Sequence, residues 1–202
     1  GKDPLFGLLL TFGAAMALEE IIRMIWSSTG YTIAAPKFVA GPIGFGFILY
    51  SKYRLFLAGL AVLLIILTWL FLEKTPYGAI IKAGASDSEM VMALGIDLKK
   101  LRTFVFALGS ALAGIAGVIA APLWSIKPTM GVEPIMFAFV VVVIGGVGSF
   151  WGAVLGGLMV GIVTSISVMF MPRTSQIVMY ILMAIVISIR PRGIMGEKSI
   201  LE

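Results

Sequence analysis

Leu55-Phe56-Leu57-Ala58-Gly59-Leu60-Ala61-Val62-Leu63-Leu64-Ile65-Ile66-Leu67-Thr68-Trp69-Leu70-Phe71-Leu72 runs without a single charge, bounded by Lys52 and Arg54 on one side and Glu73-Lys74 on the other. Wound as a helix at 1.5 Å per residue, such a run reaches about 27 Å, close to the hydrocarbon thickness of a bilayer. Only a helix or a closed barrel satisfies its own backbone in lipid, and an unbroken apolar run of this length reads as a helix. Trp69 sits where an interfacial anchor is expected.

Outward from this stretch the pattern repeats. Pro4 to Trp26 is apolar except for Glu19, Glu20 and Arg23. Thr103 to Trp124 is rich in Ala and Gly. Ile135 to Met171 is too long for one crossing, about 55 Å if wholly helical. Gly145, Gly146 and Gly148 divide it into a short helix over 135–147 and a longer one over 150–170, which Pro172 ends. A last span covers 175–189. The predicted fold is all-α, a polytopic bundle of about six membrane segments, with residues 1–202 forming a single transmembrane domain.

Composition agrees. The chain is 60% hydrophobic and 12% charged, against about 45–50% and about 25% in soluble domains. It contains no Cys and no His, which removes disulfides, thiolate or imidazole metal sites and imidazole-based catalysis. The net charge of +5 needs no nucleic acid, because Lys and Arg collect at membrane–cytoplasm boundaries. With six crossings and the 73–102 connection cytoplasmic, that side receives Lys2, Lys74, Lys82, Lys99, Lys100, Arg102, Arg190, Arg192 and Lys198. The opposite side receives Lys37, Lys52, Arg54, Lys127 and Arg173, with Arg23 near it. A re-entrant 135–147 segment reverses this bias at the C-terminus, so six crossings are expected. Gly1, Lys2 and Asp3 lead straight into the first span, and the chain is expected to be part of a longer protein.

Three constellations stand out. The connection from Glu73 to Arg102 is far longer than the 2–8 residues usual between bundle helices. Within it Ser86-Asp87-Ser88-Glu89 fits a capping box, Ser86 at the N-cap and Glu89 three residues on. Met90, Val91, Ala93 and Leu94 follow as an apolar face, and Gly95 suits the stop. This short amphipathic helix lies on the membrane surface or is presented to a cytoplasmic partner. Second, small residues recur every four positions: Gly109, Ala113, Gly117 and Ala121, then Gly148, Gly152 and Gly156. Such stripes let helix backbones approach closely, although the glycine break at 145–149, with Gly145 and Gly146, could also line a pathway. Third, Glu19 and Arg23 are spaced i, i+4 on one helix face beside Glu20, as an ion pair near the headgroups or as a substrate contact. No phosphate-binding loop and no catalytic constellation is present. A secondary transporter or channel would show acid–base relays or internal repeats, and neither is apparent; an enzyme lacks its residues.

The chain resembles permeases of branched-chain amino acid ABC importers, of the high-affinity leucine/isoleucine/valine type. The resemblance is carried by Leu18-Glu19-Glu20-Ile21-Ile22-Arg23, Thr75-Pro76-Tyr77-Gly78 and Ala93-Leu94-Gly95-Ile96-Asp97. It continues through Phe106-Ala107-Leu108-Gly109-Ser110-Ala111-Leu112-Ala113-Gly114, Val143-Ile144-Gly145-Gly146-Val147-Gly148-Ser149, Trp151-Gly152-Ala153-Val154-Leu155-Gly156-Gly157 and Arg190-Pro191. It implies that Glu89–Gly95 is a coupling helix for an ATPase subunit, although Met90-Val91 replaces the paired alanines common there. It further implies two cytoplasmic ATPase subunits holding ATP and Mg, a second homologous permease, an extracytoplasmic substrate-binding protein and a prokaryotic inner membrane. No cofactor is expected on this chain. Substrates implied are branched-chain amino acids, with urea, amides or other amino acids as alternatives in similar permeases. The family's further N-terminal spans imply that this chain is the C-terminal portion of a longer permease.

Overall fold

The computed structural model describes residues 4–39, 41–45 and 48–196; Lys2 and Lys198 of the charge count lie outside them. Eight α-helices occur among the described residues: α1 (Pro4–Trp26), α2 (Lys52–Lys74), α3 (Pro76–Ser86), α4 (Ser88–Ala93), α5 (Leu98–Ala120), α6 (Val132–Gly145), α7 (Phe150–Phe170) and α8 (Ser175–Ile189). By length and composition α2, α5 and α7 can cross a membrane, and α6 and α8 are shorter apolar helices. The apolar runs read from the sequence thus become helices at α1, α2, α7 and α8 with nearly the expected bounds.

Two boundaries differ. The helix expected over 103–124 is α5, shifted to Leu98–Ala120. Its start moves because Asp97 accepts from the backbone amides of Lys99 and Lys100 and so caps the helix early. Its end moves because Pro122 disfavours helical backbone at Ala121. The helix expected over 135–147 is α6, from Val132 to Gly145. Pro134 falls in its first turn, where a missing N–H leaves no helical bond unmade. A short antiparallel hairpin, β1 (Pro42–Phe45) with β2 (Ile48–Ser51), departs from the all-α expectation and pairs Ile43 with Tyr50 and Gly44 with Leu49.

The chain divides into two compact units. The first takes the described residues of 1–60 and 107–132. In it, Tyr31 and Ile126 exchange backbone hydrogen bonds of 3.0 and 2.8 Å. The buried Tyr53 hydroxyl donates to the Ile119 carbonyl at 2.6 Å, tying the start of α2 to the end of α5.

The second unit takes the described residues of 61–106 and 133–202. Its core is Val140 and Ile144 of α6, Val160 of α7 and Met179 of α8. Glycine makes this core possible. A Cβ on Gly145 would fall on the Gly152 carbonyl, and one on Gly152 on the Gly145 carbonyl; at Gly156 it would stand 2.7 Å from the Val141 carbonyl. Backbone therefore rests on backbone where α6 meets α7. Past α8, the chain folds back onto the same place: Ile194 N–H donates to the Ile144 carbonyl at 2.8 Å and Met195 N–H to the Gly145 carbonyl at 3.0 Å. These two carbonyls at the end of α6 have no partners within the helix, and the returning strap supplies them.

Overpacking a close-packed contact costs about 1–3 kcal/mol. Gly145→Ala is expected to lower the thermal unfolding midpoint of the purified full-length protein clearly, whereas Gly109→Ala, whose added Cβ meets no heavy atom within 4 Å, is not. Equal midpoints for the two variants would show that the α6–α7 contact tolerates side chains.

Candidate functional site

Residues 73–98 form a continuous set of caps and turns. Thr75 Oγ1 accepts from the Gly78 amide at 3.2 Å and donates to the Phe71 carbonyl at 2.6 Å, closing α2 and opening α3 with one hydroxyl. Pro76 occupies the first helical position, where its fixed φ fits. A Cβ on Gly78 would collide with the Leu72 backbone, so this tight corner requires glycine. Tyr77 and Phe71 both pack on Phe104 of α5, with ring centroids 6.4 and 6.1 Å apart. Lys82 pairs with Glu73 across the corner.

The short amphipathic helix is present as α4, with a different cap. Ser86 is the last residue of α3, and Asp87 is the N-cap of α4. Asp87 Oδ1 accepts from the amides of Glu89 at 3.0 Å and Met90 at 2.9 Å. Glu89 accordingly stands one residue earlier in the helix than a capping box requires. The reason is geometric: Asp87 has extended backbone (φ −141°, ψ 96°), the conformation an N-cap needs, while Ser86 is still helical. Asp87 also closes α3, its amide donating to the Ala83 carbonyl at 2.8 Å. One residue thus joins two helices.

The stop is as the sequence indicates. Gly95 has φ +79°, its amide donates to the Met92 carbonyl at 2.9 Å, and the Ile96 amide donates to the Val91 carbonyl at 3.3 Å. This is the paired bonding of a Schellman stop, which calls for a residue free to adopt positive φ. Between the caps α4 is two-faced. Val91 is 3% exposed, while Met90 and Leu94 are 63% and 71% exposed; Ala93 is exposed too. The apolar face expected as one surface is therefore split: Val91 anchors the helix to its own unit, and Met90, Met92 and Leu94 are presented outward.

The glycine groups have unlike surroundings. Gly145, Gly146, Gly152 and Gly156 meet other backbone. Gly146, with φ +98°, also accommodates the C-terminal strap, since a Cβ there would stand 2.8 Å from the Arg192 carbonyl. Gly148, Gly109 and Gly117 face open space, and Ala113 is exposed. On α1, Arg23 reaches Glu19 at 3.0 Å and Glu20 at 3.3 Å, forking between the two carboxylates. Trp69 is half-buried and packs on Trp151 of α7, ring centroids 6.1 Å apart. The caps Thr75 and Asp97 escaped the sequence reading. Both carried a signal, an N-cap residue directly before a proline or before a new apolar period.

Residues 4–187 match the family described as "Branched-chain amino acid transport system / permease component". The chain is 27% identical over 99% of its length to the high-affinity branched-chain amino acid transport system permease protein BraD of Pseudomonas aeruginosa, covering 67% of that protein. Two proteins of Methanocaldococcus jannaschii are among the matches. The probable branched-chain amino acid transport permease protein LivH is 28% identical over 93% of this chain and 61% of its own length. The corresponding protein LivM is 29% identical over 99% of this chain and 62% of its own length. The chain thus spans about two thirds or less of these relatives. No solved structure matches it.

Replacing an N-cap carboxylate by alanine costs about 1 kcal/mol. Asp87→Ala is expected to speed hydrogen exchange at the Glu89 and Met90 amides several-fold, while Ser86→Ala leaves them unchanged. The opposite ranking would return the cap to Ser86.

Proposed function

Since the chain belongs to the permease-component family of branched-chain amino acid transport systems, we propose that it is the membrane subunit of an ATP-driven importer for those amino acids. It is a multi-pass membrane transport component and not an enzyme. ATP and Mg belong, in this reading, to two cytoplasmic ATPase subunits. An extracytoplasmic binding protein delivers the substrate. The match of one chain to both LivH and LivM of a single organism supports a second, related permease beside it. The membrane is the inner membrane of a prokaryote.

The observation that carries the reading is α4. A six-residue helix does not hold its shape alone, yet this one is capped at both ends and anchored by Val91, with Met90, Met92 and Leu94 left outward. Exposed methionine and leucine on a rigid, polar-flanked helix suit insertion into an apolar groove of a partner. Movement of an ATPase groove can then be transmitted through the Thr75–Gly78 corner and Asp97 cap to α2 and α5. ATP favours one arrangement of the spans only through contacts that differ between the two states. Six crossings fit the Lys/Arg balance, with α6 and α8, about 21–23 Å long, accommodated by tilt or local thinning at small cost.

Cells expressing the full-length permease with its partners are expected to take up labelled leucine, and to stop when the ATPase is inactivated. Leu94→Asp is expected to abolish that uptake at unchanged membrane expression, because it places a charge where an apolar groove must close. Normal uptake by Leu94→Asp would remove α4 from the coupling path. Uptake of urea or an amide in place of leucine would keep the importer and change its substrate.

A further inference from the structure

Arg102 lies in the second turn of α5 and lines a cleft of about 550 Å³ within the second unit. Two lysines of the 73–102 connection have carboxylate partners: Lys82 pairs with Glu73, and Lys100 with Asp97 at 3.7 Å. Among the described residues Arg102 has no hydrogen bond or ion pair, and neither has the Ser88 side chain, which lines the same cleft. The rest of the wall is apolar. Ile81, Gly84 and Ala85 of α3 line the cleft with Val105 and Phe106 of α5, so along α5 the lining is entirely apolar beyond Arg102. Leu98 and Leu101 line it on the connection side, so Arg102 and Ser88 are the polar groups of an otherwise apolar wall that continues along the span.

We propose that this cleft holds one anionic phospholipid of the bilayer, its phosphate on Arg102 and Ser88 and its acyl chain along Val105 and Phe106. A guanidinium matches phosphate geometry with paired N–H donors, and basic pockets between membrane helices on the cytoplasmic side are suited to acidic headgroups. A zwitterionic lipid carries its own ammonium beside the phosphate, which competes with Arg102. A carboxylate from a soluble partner could satisfy Arg102 but would leave the apolar half of the cleft unfilled. Because the cleft abuts α3, α4 and α5, a bound lipid would brace the base of α4 from the membrane side. The site does not depend on the substrate or on the ATPase.

The test uses full-length permease purified in neutral detergent, with native mass spectrometry comparing retention of phosphatidylglycerol and phosphatidylcholine of identical acyl chains. Wild type is expected to retain phosphatidylglycerol preferentially. Arg102→Gln should lower that retention about fivefold, the weight of one basic residue near an anionic surface, with the thermal midpoint unchanged and Arg102→Lys intermediate. Ala85→Phe, which adds bulk to the lining and leaves Arg102 in place, should lower it as well. Unchanged phosphatidylglycerol retention in Arg102→Gln would overturn the proposal. So would displacement of the lipid by glycerol phosphate at equal concentration, which would make this a free-phosphate site. Loss of ATPase-subunit association with lipid retention intact would assign Arg102 to a protein partner instead.

Discussion

Gly145 and Gly152 touch through their backbones, and neither position has room for a Cβ. In lipid, apolar side chains gain little by leaving one hydrocarbon surface for another, so helix association rests on close packing. The α6–α7 contact meets that condition in its strictest form. It sets the turn at 146–149, where Ser149 Oγ accepts from the Gly152 amide at 3.0 Å and starts α7. It also brings Val140 and Ile144 against Val160 and Met179. The strap after α8 seals the same point by bonding the last carbonyls of α6. A glycine break in a membrane segment can line a pathway or permit contact; at Gly145 and Gly146 the neighbours are protein backbone.

A different economy governs the 73–98 connection. This stretch is polar, and the chain could have been loose. Instead, Thr75, Asp87 and Asp97 each start a helix, Gly95 stops one, and no cap is separated from the next by more than about three turns. The consequence is stiffness beneath the exposed Met90, Met92 and Leu94 of α4. Hydrophobic surface displayed on a stiff polar-flanked element favours partner binding, because little ordering entropy remains to oppose it.

Charge is distributed on the same logic. Glu73 with Lys82, Asp97 with Lys100, and Glu19 and Glu20 with Arg23 are local pairs on or beside helix ends. Such exposed pairs are worth about 0–1 kcal/mol each and chiefly orient side chains. Arg102 differs in having an apolar cleft instead of a carboxylate beside it.

From the amino-acid order alone one could read the membrane class, the places of α1, α2, α7 and α8, the glycine break after Ile144 and the Gly95 stop. Those features are local: a run of apolar residues, or a residue without a Cβ, determines them within a few turns. Ser86 and Asp87 are both good N-cap residues. Only the extended backbone of Asp87, held between α3 and α4, decides between them. Likewise, four apolar residues of α4 look equivalent by spacing, and only packing shows that Val91 turns inward while Met90 and Leu94 turn out. The Trp69–Trp151 contact, the strap on Gly146 and the apolar cleft at Arg102 join residues far apart in the chain. Local periodicity carries no information about such distant neighbours, so the tertiary structure alone decided them.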